Sequence, residues 1–369
     1  MTDRSPTRIA LVLATSTGGV GQHVRSLALH LVKAGHRVVV CGPAATERLF
    51  GFETTGSRFF PVEIAAGLDP VRDLAAAARL RGTISGAEIV HAHGFRAGLV
   101  ASLAGAGLRS LPLVVTWHNK LLATGIRRQV LVQLERRIAR SASITLGASE
   151  DLVARALELG ARDARFAPVA APALPPATRD PAEVRREIGA DGRPLILSVG
   201  RLHPQKRHDV LIQAAARWRS LDPVPLVAIA GSGPEAARLR VLTTETGAPV
   251  RFLGHRDDVP ELLAACDLAV VTSQWEARQL FAQEALRSGR PVVATAVGGL
   301  PGLLGDAAEL IAPGDPAALA AAVEGLLADP VRAQALAERG RMRAVTWPSE
   351  ADTAAQAAAV YAELLGRPA

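Results

Sequence analysis

Short apolar runs, each closed by a turn and followed by a stretch of helical period, recur along this chain. That order dictates a parallel sheet covered by helices on both faces. Residues 9–14 (IALVLA) run into Thr15-Ser16-Thr17-Gly18-Gly19-Val20-Gly21, and a helix over about 22–34 stops at Gly35. Strand patterns follow at 37–41, 88–91, 112–118 and 144–147, with helices at 127–141 and 150–159. Residues 167–177 (APVAAPALPPA) are proline-rich and nearly uncharged, a composition that suits an extended, semi-rigid linker. Beyond them the pattern restarts, with strands at 194–199, 226–230, 250–253, 268–271 and 291–295 and a helix at 208–217. The expected fold is α/β: two doubly wound domains, 1–172 and 173–346, joined by a hinge. The last segment, 347–369, carries a helix at about 350–364 that is expected to return to the first domain.

The chain has 369 residues, too many for one typical core, and 49 % of them are hydrophobic, which excludes a disordered protein. No apolar run reaches the ~20 residues that span a bilayer, and the stretch near Met1 is too short for a signal peptide. Cys41 and Cys266 lie far apart in apolar surroundings, so they are expected as free buried thiols in a reducing cytoplasm. The net charge of +7 is uneven. Residues 1–175 hold 21 Lys/Arg against 12 Asp/Glu, and the remainder is slightly acidic. A basic first half argues for an anionic partner. Few aromatics and no nucleic-acid module put nucleic acid last among such partners.

In doubly wound sheets, ligands bind beyond the carboxyl ends of the strands, and the chemistry-bearing residues of this chain fall there. Arg201 and Lys206 follow the strand at 194–199; together, a planar fork of donors and a compact point charge suit a diphosphate. Gly231-Ser232-Gly233 and Gly298-Gly299 also follow strands, where bare backbone N–H groups can approach phosphate closely. Glu276 and Glu284, eight positions apart, would sit about 80° apart on one ideal helix. The pair is better read with Glu276 in the loop before a helix and Glu284 within it, each able to accept from a vicinal diol.

Taken together, VGRLHPQK, AGSGP, the Glu-x(7)-Glu of WEARQLFAQEALRSGRPVVAT and VGGLP resemble the donor domain of the family-4 retaining glycosyltransferases. STGGVGQHVRSLALHLVKAGHRVVV and IVHAHGFRAG resemble that family's acceptor domain, so the likeness covers nearly the whole chain. It implies a GT-B fold, two Rossmann-like domains facing across a cleft, and a donor that is a nucleotide-diphosphate sugar. In that reading Arg201 and Lys206 hold the diphosphate and the leaving-group charge. Glu284 takes the ribose hydroxyls, and Glu276 the hydroxyls of the transferred sugar. His118 contacts that sugar, while Gly19 and Gly21 line the cleft and Gly231, Gly233, Gly298 and Gly299 flank the donor. Domain closure about 167–177 would exclude water. No metal or other cofactor is implied. His91 and His93 have a metal-like spacing, but no companion carboxylate or cysteine cluster supports it.

This chain departs from the family pattern at three places. Ala277-Arg278-Gln279 stands where Gly-Phe is frequent, which puts Arg278 beside the donor sugar, as a contact for it or for an acidic acceptor. Gly302 stands where a glutamate is usual, and the linker lacks the frequent Asn-Gly-Val-Asp. Two alternatives remain beside the transferase: a GT-B nucleotide-sugar epimerase and a non-catalytic nucleotide-sugar-binding protein. Lys120 and the cationic helix at 127–141 read first as a solvated helix, with Val130, Leu134 and Ile138 on its apolar stripe. The sharper reading docks that helix on anionic lipid, a peripheral site on the inner face of the plasma membrane.

Overall fold

The computed structural model describes residues 6–108, 111–122 and 125–367, with Arg127 described in its backbone alone. Contacts divide the chain into two units, Met1–Ala170 with Pro348–Ala369, and Ala171–Trp347.

The first unit runs β1 (Arg8–Leu13), α1 (Gly19–Lys33), β2 (Arg37–Gly42), α2 (Ala44–Phe50), β3 (Arg58–Pro61), α3 (Pro70–Ile84), β4 (Ile89–His93), α4 (Phe95–Ala104), β5 (Leu113–Trp117), α5 (Gly125–Ser141), β6 (Ile144–Gly147), α6 (Glu150–Glu158) and β7 (Ala164–Phe166). The second runs α7 (Pro181–Glu187), β8 (Leu195–Val199), α8 (His208–Ala215), β9 (Leu226–Ala230), α9 (Ala236–Thr246), β10 (Val250–Gly254), α10 (Val259–Ala265), β11 (Leu268–Val271), α11 (Leu280–Arg287), β12 (Val292–Thr295), α12 (Leu300–Leu304), β13 (Glu309–Ile311), α13 (Pro316–Ala328) and α14 (Pro330–Val345). The last helix, α15 (Glu350–Leu364), belongs to the first unit and packs on α1.

The strand order is β3-β2-β1-β4-β5-β6-β7 in one sheet and β10-β9-β8-β11-β12-β13 in the other, every pair parallel. In each sheet the chain winds out to one edge and then returns to the other side of its first strand. The order therefore reverses between β1 and β4 and between β8 and β11. Those two points leave crevices at the carboxyl ends, where such sheets take ligands. Helices cover both faces, so the central strands are predominantly apolar, as in β9 (LVAIA). Leu195 and Leu197 join one core with Ala269 and Val271, while Ile196 joins the other with Leu268 and Val270.

Four details differ from the sequence reading. β4 ends at His93 rather than at residue 91, because Leu13 and Thr116 pair with His93 from its two neighbours. Helix α8 ends at Ala215 and continues as a 3-10 turn to Ser220. The inward face of α5 carries Leu131, Glu135 and Ile138, and Val130 is 52 % exposed. The expected stripe is thus displaced by one position, because Glu135 is turned inward to meet Arg155 of α6 at 2.9 Å. The linker is also less solvated than its composition suggests: Ala167, Val169, Ala170 and Ala171 are buried. Ala171 donates to Gln283 Oε1, and its carbonyl accepts from Arg287 on α11.

Candidate active site

In the second unit, the loop after β8 carries Gly200, Arg201 and a 3-10 turn over Pro204–Lys206, and Arg201 is exposed. The loop after β11 runs through Thr272, Ser273 and Glu276 into α11. The two loops meet. Lys206 Nζ lies 2.5 Å from Glu276 Oε1, and Ser273 Oγ donates to the same oxygen at 2.7 Å. Gln205 Nε2 donates to the Trp275 carbonyl, Gln274 N to the Gln205 carbonyl, and Thr272 Oγ1 to the Lys206 carbonyl. Adjacent parallel strands deliver both loops at their common end, so residues seventy positions apart become neighbours. The side chain of Glu276 is 10 % exposed and that of Lys206 19 %, so the pair is held largely out of solvent.

Glu276 lies before α11 and Glu284 inside it, as the spacing predicts. Burial pushes the Glu284 carboxyl up to about 7, against the opposing pull of Arg287. Arg278 turns toward Trp347, its guanidinium 5.7 Å from the ring centroid, with Arg287 over the same ring at 5.8 Å. Burial first, then Arg287 and Arg343, lower Arg278 to about 10. Placed there, Arg278 packs on the indole instead of standing as a free cation beside a donor sugar.

The glycines do a different job from the one expected. Gly231 has φ +144°, and a Cβ there would overlap the Gly200 carbonyl. Gly298 has φ +53°, and a Cβ would overlap the Glu276 carbonyl. Both positions let one loop backbone lie against another. The N–H of Gly231 donates to Gly254 O at 2.6 Å, and that of Gly299 to Glu276 O at 2.8 Å. These two amides are therefore not bare phosphate donors: Gly231 ties its loop to the end of β10, and Gly299 holds the segment that carries Glu276. At Gly233, a Cβ would likewise meet the Leu202 carbonyl.

In the first unit, Gly19 opens α1, and Gly21 is buried against Phe50, whose ring a Cβ would overlap. Gly21 thus has a packing role and not a lining one. His118, just past β5, sits in a buried cluster with His23 of α1 and His91 and His93 of β4. A strand's alternate residues share a face, which puts His91 and His93 together. His91 bonds Tyr361 of α15 and Thr116, each at 2.6 Å, and lies against His93 with centroids 4.2 Å apart and the ring planes tilted by 34°. His93 Nδ1 lies 3.3 Å from His118 Nε2, and His23 sets its edge against both rings. Burial pushes His23 down to about 4 and His91 to about 3, and His93 and His118 well below the ordinary value.

His23, His93 and His118 bring ring nitrogens within 4.8 Å of one another. A tetrahedral zinc at ~2.0–2.1 Å from each would draw them to about 3.4 Å, and two of the three are already joined by a hydrogen bond. The companions that the sequence reading missed beside His91 and His93 are thus other histidines. Ser273 and Gln205, which fix Glu276 and its loop, were also missed; the one available signal was Ser273 three residues before the acid. The buried thiols Cys41 and Cys266, both pushed up to about 12, take no part.

Two doubly wound units with their chemistry at the strand ends define the GT-B class. HepE from Anabaena, solved with UDP and with UDP-glucose, matches with a TM-score of 0.82 at 22 % identity over 97 % of this chain and 99–100 % of that one. Within that class, residues 180–343 match the model for glycosyl transferases group 1 and residues 18–172 that for a glycosyl transferase 4-like domain. Glycogen synthase from Mycobacterium tuberculosis is 30 % identical over 388 aligned positions, 92 % of this chain and 90 % of the relative. D-inositol 3-phosphate glycosyltransferase from Salinispora arenicola is 33 % identical over 298 positions, 70 % of this chain. The chain spans 64 % of that relative's length. The protein belongs to the group 1 glycosyltransferases.

Proposed function

We propose that this protein is a retaining glycosyltransferase that moves a sugar from a nucleotide-diphosphate sugar to an acceptor hydroxyl without a metal ion. The observation that carries the reading is the Lys206–Glu276 pair, fixed at the second sheet's reversal point beside Arg201. Among the described residues, both side-chain hydrogen bonds to Glu276 fall on Oε1, and Oε2 is the oxygen assigned to accept from a sugar hydroxyl. Arg201 and Lys206 bring two positive charges to where the diphosphate gains charge as the anomeric C–O bond breaks. The acceptor oxygen bonds to the anomeric carbon on the leaving group's own face, and its proton passes to the departing diphosphate. Glu284 accepts from the ribose, and the family resemblance assigns His118 to the transferred sugar.

Neither an epimerase nor a binding protein would form a glycosylated acceptor. Incubation with UDP-, GDP- and ADP-sugars, reading nucleoside diphosphate release, separates enzyme from binder. Relatives solved with UDP make the uridine series the first to try. Glu276→Ala should abolish transfer and spare nucleotide binding; lost binding with normal turnover at saturation sinks the role given to Glu276.

A second reading concerns where the enzyme works. No helix among the described residues is long and apolar enough to cross a membrane. Helix α5, however, exposes Ile126 (80 %) and Val130 (52 %) one turn apart, with exposed Arg128 between them and exposed Arg136, Arg137 and Arg140 further along. That mixture supports peripheral docking on an anionic cytoplasmic leaflet. Flotation with and without anionic lipid tests it, and absence of binding at low salt ends it.

A further inference from the structure

Four histidines share one buried cluster in the first unit, and the family reading uses only His118. The other three decide how that ring is protonated. Burial keeps each ring neutral at pH 7, so each carries one proton on one of its two nitrogens. The 3.3 Å contact between His93 Nδ1 and His118 Nε2 needs one proton, and either ring can supply it.

The rest of the cluster breaks the tie. His93 Nε2 is buried and has no hydrogen-bond partner among the described residues. If His118 donated, the single proton of His93 would sit on that Nε2, an orphaned buried N–H. If His93 donates through Nδ1, its Nε2 is a bare lone pair. Buried N–H groups without a partner are the rarer and costlier outcome. His91 packs against the His93 ring in a tilted contact, and is itself clamped between Tyr361 and Thr116. His23 closes the other side with an edge against each ring.

We infer that His93 is a positioning residue that donates from Nδ1 to His118 Nε2 and so fixes His118 in the Nδ1–H tautomer. His118 keeps 8 % exposure and has only Nδ1 left to offer. It therefore presents an N–H donor, not a lone pair, and selects for a hydroxyl or carbonyl oxygen of the bound sugar. It cannot act as a general base from that nitrogen, which agrees with a transfer in which the leaving diphosphate takes the acceptor proton. This step rests on the sugar-contact role given to His118 above.

The test is long-range 1H–15N correlation on the full-length protein labelled at histidine, with His118 assigned by loss of its signals in His118→Gln. The wild-type spectrum should show His118 protonated at Nδ1 and bare at Nε2. In His93→Phe the donor is gone, and His118 should revert to the Nε2–H form that free histidine prefers, with kcat down roughly tenfold or more and donor KM within about twofold. In His93→Asn the amide nitrogen stands where Nδ1 stands, and the wild-type tautomer and most of the turnover should return. An Nε2-protonated His118 in the wild type overturns the inference, as does a tautomer unmoved in His93→Phe. A switch in both variants assigns the effect to lost packing and overturns it too. The spectra do not depend on turnover. Undiminished transfer by His118→Ala would sink the sugar contact and leave the tautomer result standing.

Discussion

Glu276 Oε1 accepts from Lys206 Nζ at 2.5 Å and from Ser273 Oγ at 2.7 Å, so both side-chain partners described for this carboxylate fall on one oxygen. Removing the cation should therefore harm the protein before any substrate arrives. Lys206→Ala leaves a carboxylate whose side chain is only 10 % exposed without its partner. The expected cost is about 2 kcal/mol of stability, the worth of a hydrogen bond to a charged group. Ser273→Ala should cost less, about 1 kcal/mol. Urea unfolding of the two variants checks the order; equal or no destabilisation would show that the pair does not hold the loops together.

Glu284 gives a pH signature. Its folded value of about 7 stands above the ordinary 4.5 because burial disfavours the carboxylate. A group raised in the folded state stabilises below its unfolded value, and that contribution is lost as pH climbs from about 4.5 to about 7. Donor binding should run the other way. Only the carboxylate accepts from both ribose hydroxyls, so nucleotide affinity should rise through about pH 7 and then level. Glu284→Gln should flatten this rise and bind more weakly throughout. Calorimetric titration of nucleoside diphosphate from pH 6 to 8.5 reads both effects, and an unchanged slope in the variant removes Glu284 from the ribose.

How much of this was legible in the chain follows from what sequence encodes. The central strands were plain because burial on both faces leaves runs such as 226–230 (LVAIA) wholly apolar. The edge strands β3, β7 and β13 were not read; at three or four residues, half-exposed, they carry no period. Lys206 and Glu276 were legible as strand-end residues, but their contact was not, since it depends on β8 and β11 lying side by side. Gly231 and Gly299 were read as phosphate donors, because a sequence shows a missing side chain but not the carbonyl that the bare backbone already serves. The inward turn of Arg278 was hidden for a similar reason: Trp347, its partner, is far along the chain.

Gly298 is the sharpest test of loop-on-loop contact. It combines φ +53° with a would-be Cβ overlapping the Glu276 carbonyl and 2.7 Å from Trp275 Nε1. Gly298→Ala adds left-handed strain of about 1 kcal/mol and must push away the segment that carries Glu276. The expected variant is folded but slow, with kcat reduced about a hundredfold if Glu276 shifts by an ångström. Gly302→Ala is the control, since a Cβ there meets nothing within 4 Å. Comparable losses in the two variants would sink the explanation.

Metal removal tests the assignment of leaving-group charge to side chains. With Arg201 and Lys206 in that role, exhaustive EDTA treatment should leave turnover within about twofold, and Arg201→Ala should lower it about 10²-fold or more. A rate abolished by EDTA and restored by a divalent ion would transfer the role to the metal.

The last prediction concerns the clamp on the histidine cluster. Tyr361 reaches from α15 to His91 at 2.6 Å, and its ring is 2 % exposed. Tyr361→Phe keeps the packing and deletes the hydroxyl. The cost should be about 1 kcal/mol, a Tm fall of about 2–4 °C for a unit of this size. The histidines themselves make the fold acid-sensitive. His23 at about 4 and His91 at about 3 lie below the ordinary 6.5 because they are buried, as does His208 at about 4. Depressed in the folded state, they contribute stability that is whole above about pH 6.5 and is lost as pH falls toward their folded values. Glu284 opposes this between about 4.5 and 7, but it is one group against several. Stability should therefore drop on acidification below pH 6.5, and His91→Phe should drop less steeply because one proton fewer is taken up on unfolding. Thermal melts from pH 5 to 8 give the slopes, and identical slopes for His91→Phe and the wild type would show that His91 is already charged in the native fold.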